Sequence, residues 1–97
     1  MTYHVSFELA ASRDVEMAFE SYELRHTGLG ADFLRTVAMA TDLLARDPER
    51  LAITRVPFRW IKLRRFPFAL HYRIKGDPVL TVACLHFRQS PTRWPQA

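Results

Sequence analysis

The stretch from Arg64 to Ile74, RRFPFALHYRI, decides the fold of this chain of 97 residues. It opens with two arginines and a Phe-Pro-Phe turn, and from Phe68 onward large apolar residues occupy every second position. A period of two predicts a strand with one buried face. The same period places His71 and Arg73 together on the opposite face. That basic face is therefore either a solvated surface or a surface that binds a partner.

Three further strands are predicted from the same kind of pattern. Residues 58–65 alternate, with Ile61 and Leu63 on the buried face. Residues 79–87 are nearly all apolar, which is typical of a central strand covered on both faces. Residues 3–9 alternate again and predict a strand close to the N-terminus.

Between the first strand and the other three, the apolar spacing changes to that of helices. The first helix is predicted from Ser12, a favourable N-cap residue, to about Arg25. A Gly-Leu-Gly hinge at 28–30 follows, and Asp32 opens a second helix that ends before Pro48. The predicted order is β-α-α-β-β-β. This is an α+β fold in which an antiparallel sheet carries a helical hairpin on one face.

Length and composition restrict the class of protein. With 97 residues, 48% of them apolar, the chain makes one domain with a modest core, and residues 88–97 are expected to form an irregular tail. The single cysteine, Cys84, excludes an intrachain disulfide, and no metal-ligand spacing exists, so no cofactor is expected. No apolar run approaches a membrane span, which predicts a cytoplasmic protein without a membrane partner. The net charge of +4 favours an acidic partner.

The outward residues of three neighbouring strands form the main candidate surface. Under a strict period of two they place four cations, two imidazoles and an indole on one face: Trp60, Lys62, Arg64, His71, Arg73, His86 and Arg88. Strands lie about 5 Å apart, so this density of like charge is repulsive unless phosphates or carboxylates relieve it. From residue 57 to the C-terminus the only acid is Asp77, in a turn. This favours an anion-binding surface, with a plain solvated face as the alternative.

Four segments, in this order, resemble the RelE/ParE superfamily of type II toxin–antitoxin toxins. They are YELRHTGLGADFL at 22–34, DPER at 47–50, RRFPFALHYRI at 64–74 and VACLHFRQSPTRW at 82–94. The resemblance spans nearly the whole chain. It implies a growth-inhibiting bacterial toxin, of the kind associated with plasmid stabilization, that a cognate antitoxin holds inactive. The antitoxin would bind the exposed groove of the two helices and the sheet edge.

The superfamily has two branches, which differ in target. ParE-like members poison DNA gyrase, and this sequence favours that branch because Phe87 and Ala69 stand where ribonuclease members keep a tyrosine and an arginine. The alternative is a RelE-like endoribonuclease that cleaves mRNA on the ribosome, and a binding module without toxicity is a third possibility. In the ribonuclease case the resemblance implies catalytic roles around the scissile phosphate for His86, Arg88, Arg65 and Arg73. The predicted target-binding or nucleic-acid-binding residues are Lys62, Arg64, His71 and Trp60.

Overall fold

The computed structural model describes residues 2–89 and 91–95. Its elements are β1 (His4–Phe7), α1 (Leu9–Arg25), α2 (Leu29–Arg46), β2 (Ile53–Arg55), β3 (Phe58–Lys62), β4 (Phe68–Ile74) and β5 (Pro78–His86). Short 3-10 helices follow α2 at Pro48–Arg50 and β5 at Pro91–Arg93. The strands form one sheet in the order β1-β5-β4-β3-β2. The predicted α+β class, with two helices beside the sheet, is confirmed.

The structure departs from the predicted order in the sheet and at the helix starts. β2 was not predicted, because a strand of three residues is too short to show a period of two. β1 pairs with β5 in parallel, so the sheet is mixed rather than wholly antiparallel. The first helix begins at Leu9 instead of Ser12, and the second at Leu29 instead of Asp32. None of the described helices is long and apolar enough to cross a membrane.

An aromatic cluster joins both helices to the sheet. The ring centroid of Tyr22 in α1 lies 5.4 Å from that of Phe33 in α2 and 4.8 Å from that of Phe66. Phe33 also lies 5.5 Å from Phe68 of β4, in an edge-to-face arrangement. Such pairs stabilise a core beyond the area they bury. The Phe-Pro-Phe turn is thereby anchored under the helical hairpin, which places Arg65 beside the helices.

The predicted glycine joint between the helices has one open position, Gly28, and one tightly packed position, Gly30. Gly28 has a left-handed backbone with φ of +93°, which glycine adopts without strain. At Gly30, a β-carbon would lie 2.8 Å from the ring of Phe19 and 2.9 Å from its carbonyl oxygen. The Glu23 carboxylate accepts hydrogen bonds from the backbone N–H groups of both glycines and so caps α2.

A β-bulge in β5 breaks the alternation on which the face assignment was based. His71 of β4 pairs with Ala83, whereas the next residue, Tyr72, pairs with Thr81. Val82 is therefore an extra residue on β5. An extra residue exchanges the two faces for every side chain beyond it.

The exchange moves the end of β5 to the helix side of the sheet. Val79 and Cys84 both belong to the helix-side core although five positions separate them. His86 pairs with Phe68, and their ring centroids lie 5.1 Å apart. The prediction that His86 joins the outward basic face is therefore wrong, because it assumed an unbroken period of two.

Cys84 is a structural thiol. Its side chain is buried, and burial raises the pKa of the thiol to about 12. Its backbone N–H donates to the Asp14 carboxylate of α1 at 3.0 Å, on a strand edge that the four-residue β1 leaves uncovered. The pair ties α1 to β5 directly after the bulge.

Candidate functional site

The predicted basic face is not one solvated surface. Lys62 and Arg64 are exposed, but His71 is only 1% exposed. Trp94 covers it from the tail, with its ring centroid 5.7 Å from the imidazole and 5.0 Å from the ring of Trp60. The tail predicted to be irregular thus contains a 3-10 turn that lies on the sheet, while residues 90, 96 and 97 lie outside the described residues.

His71 lies on the predicted face of the sheet, with its ring centroid 5.7 Å from that of Trp60, but the expectation that it is open to solvent is wrong. Burial lowers the pKa of its imidazole from 6.5 to about 4. Among the described residues, its Nδ1 atom has no hydrogen-bond partner. His71 is therefore a neutral residue of the sheet interior at pH 7.

The four residues with implied catalytic roles do not converge on one point. Arg65 and His86 line the same pocket on the helix side of the sheet. Arg73 lies on the other face, with its guanidinium carbon 5.9 Å from the ring centroid of Phe58. Arg88 is exposed after the end of β5. One phosphate cannot contact side chains on both faces of the sheet.

A hydrogen bond determines what the His86 ring can do. Its Nδ1 accepts from the backbone N–H of Arg88 at 2.9 Å. In the neutral ring the proton therefore lies on Nε2, which can donate a hydrogen bond but cannot take up a proton. The arrangement suits binding of an anion better than general base catalysis.

The pocket beside His86 has a volume of about 490 Å³ and lies between α1 and the β3–β4 turn. Ser21 and Arg25 reach it from α1, four residues apart and hence on one face of the helix. Arg65 reaches it from the turn, where its backbone is left-handed with φ of +69°. Sequence reasoning missed Ser21 and Arg25, because a serine and an arginine on an exposed helix face give no distinctive signal.

A larger cleft, of about 700 Å³, lies between α2 and β3. Met39 and Leu43 of α2 are 49% and 44% exposed along it. Ile61 and Leu63 form its wall on the sheet side. The cleft lies beside α2 and the sheet, and the expected antitoxin contact with the groove of α1 and α2 stays a prediction.

The cleft has a basic rim beside an open strand edge. Its charged lining residues are Arg46, Lys62, Arg64 and Asp42. β2 pairs only with Phe58 and Arg59 of β3, and the N–H of Trp60 donates to the carbonyl of Ala52. Within the described chain no strand pairs with Lys62 on the side away from β4. Such an edge can receive an added strand, and the cleft can receive an apolar helix face.

One solved structure with this fold is entitled "Chromosomal ParDE TA system from P. aeruginosa"; the likeness has a TM-score of 0.75 and covers 88% of this chain and 96% of that chain. The two sequences are 17% identical, so the likeness establishes the fold. The fold implied by the sequence resemblance is thereby confirmed. No family model and no curated protein sequence matches the chain.

Proposed function

We propose that this chain is the toxin of a type II toxin–antitoxin pair, that it acts in the cytoplasm on DNA gyrase, and that a cognate antitoxin neutralises it. One observation carries the proposal: a ParE-like fold bears an exposed apolar cleft with a basic rim at an open strand edge. A small domain that leaves such a cleft open is suited to a partner that folds upon it.

The chemistry of the cleft indicates the kind of antitoxin segment that binds there. Met39 and Leu43 require apolar side chains at helical spacing. Three cations and one carboxylate in the lining require a segment with net negative charge. An acidic, amphipathic segment meets both requirements.

The first experiment is induction of the free chain in a bacterial host, together with a gyrase supercoiling assay on the purified protein. We expect growth arrest, relaxed plasmid and intact mRNA. Arrest with new mRNA 5′ ends at codon positions would instead support the RelE-like ribonuclease. Growth without arrest would contradict both toxin functions.

Paired substitutions test the cleft. Leu43→Glu places a carboxylate on its apolar wall and should weaken antitoxin binding at least tenfold, since desolvating a charge there costs more than 1.4 kcal/mol, or about one factor of ten. Leu24→Glu on α1 is the matched control, because Leu24 is 89% exposed and does not line the cleft. Both variants should arrest growth alone, but only the Leu24 variant should be rescued by the antitoxin, which is measured in co-expression. Equal rescue of both would place the antitoxin elsewhere.

The ribonuclease remains a second candidate because Arg65 and His86 share a pocket. Removing His86 should then lower the rate of cleavage by about 10²–10⁴-fold, as for an acid–base group. Two observations favour the gyrase-directed function. The proton of the neutral His86 ring lies on Nε2, and Arg65 and Arg73 lie on opposite faces of the sheet.

A further inference from the structure

The pocket between α1 and the β3–β4 turn collects positive charge. Arg25 and Arg65 both line it, and among the described residues none of the lining side chains is acidic. The guanidinium carbon of Arg25 lies 5.3 Å from the ring centroid of Tyr22, and within the described chain no carboxylate pairs with it. Glu23, the nearest acid along α1, caps α2 instead. The described lining of the pocket therefore contains no counter-charge, and the carboxylate that approaches Arg65, that of Asp32, lies outside the lining.

Arg65 is held at the pocket without a strong ion pair. Its Nη1 lies 3.7 Å from the Asp32 carboxylate, which also bonds to Arg35. Its backbone occupies the left-handed region, which an arginine adopts only where the surrounding structure imposes it. The long contact with a shared carboxylate leaves the guanidinium available to a more strongly anionic ligand.

Two uncharged donors complete the pocket. The hydrogen bond at Nδ1 fixes the proton of His86 on Nε2, and the ring is held edge-on against Phe68. Ser21 adds a hydroxyl from α1. Donors on two sides and two guanidinium groups match the oxygens and the double negative charge of a phosphate group, whereas a carboxylate brings only one negative charge to the two guanidinium groups.

We propose that this pocket binds a phosphate group through Ser21, Arg25, Arg65 and His86. The site lies outside the α2/β3 cleft, so it does not depend on the proposed antitoxin contact. The pocket, at about 490 Å³, is larger than a phosphate ion. Its ligand is therefore either free inorganic phosphate or the phosphate group of a nucleoside monophosphate. In both cases the recognised chemistry is the phosphate group.

The test is a titration of the purified chain with inorganic phosphate, adenosine 5′-monophosphate and adenosine, followed by NMR of the backbone amides. We expect saturable shifts at Ser21, Phe66 and His86 with both phosphates and none with adenosine. Tighter binding of the nucleotide would identify it as the source, and equal affinities would assign the site to the phosphate alone. The proposal would be overturned if adenosine bound with the same affinity as its monophosphate, or if neither phosphate compound caused a saturable shift.

Variants separate the pocket from diffuse charge. Arg65→Gln should weaken phosphate binding about tenfold, as expected for loss of a charged hydrogen bond, and Arg25→Gln gives the same test from an exposed helix position if the turn variant does not fold. Asp32→Asn should strengthen binding, because it frees Arg65. Arg13→Gln is the control, an exposed arginine about 18 Å away along α1. Equal weakening by the control variant would show that net charge alone attracts phosphate and would overturn the site.

Discussion

Burial of His71 predicts a loss of stability in acid. Its pKa is 6.5 in an unfolded chain and about 4 in the fold. Between these values the unfolded chain binds a proton that the folded chain does not, so the free energy of unfolding should fall as the pH falls from 6.5 to 4. The loss should approach about 3 kcal/mol. Urea unfolding at a series of pH values measures it.

The control for this prediction is a second histidine. His71→Phe keeps a ring beneath Trp94 and removes an Nδ1 atom without a partner in the described chain, so the acid loss should disappear. His4 is exposed, and His4→Gln should leave the loss in place. An unchanged pH profile in the His71 variant would show that other groups cause the acid sensitivity.

At the scale of elements, apolar periodicity predicts the helices and strands whose pattern is unbroken. The two helices and β4 have unbroken patterns, and β4 has the predicted bounds, Phe68–Ile74. The bulge at Val82 depends on the pairing of β5 with β4, so it could not be predicted from the sequence of β5 alone. Its consequence reaches the site, since it moves His86 to the helix side and separates it from Arg73. The cover that Trp94 forms over His71 is also a tertiary contact, outside the reach of local patterns.

The contact between α1 and α2 gives a prediction for Gly30. Alanine has a higher helix propensity than glycine by about 1 kcal/mol, so Gly30→Ala would stabilise an isolated helix. Here the new β-carbon would lie 2.9 Å from the Phe19 carbonyl oxygen, and backbone cannot move aside as a flexible side chain can. We expect a net destabilisation of about 1–3 kcal/mol, typical of overpacking, in urea unfolding. Ala38→Gly, at an exposed position of α2, should cost only the propensity; a more stable Gly30 variant would show that the helices can separate.

At the scale of the whole molecule, the fold distributes its surfaces over separate elements. The α2/β3 cleft lies at one edge of the sheet, the basic pocket lies between α1 and the β3–β4 turn, and the tail covers part of the other face. An antitoxin segment in the cleft therefore leaves the pocket beside His86 accessible. In the proposed complex, neutralisation would then act through the cleft and the strand edge rather than by filling the pocket.

This arrangement predicts how the partner changes stability. A domain of 97 residues has a small core, so its midpoint of thermal unfolding should respond strongly to a ligand. At a free concentration of 100 Kd, the antitoxin should add about 2.7 kcal/mol to the free energy of unfolding, which for a domain of this size raises Tm by roughly 10–20 °C. Circular dichroism during heating, with and without the proposed antitoxin, measures the shift. At the same antitoxin concentration, a tenfold weaker affinity leaves about 1.4 kcal/mol of stabilisation, so the shift should fall to about half or less for Leu43→Glu and persist in full for Leu24→Glu. An equal shift in both variants would mean that the stabilising contact lies outside the cleft.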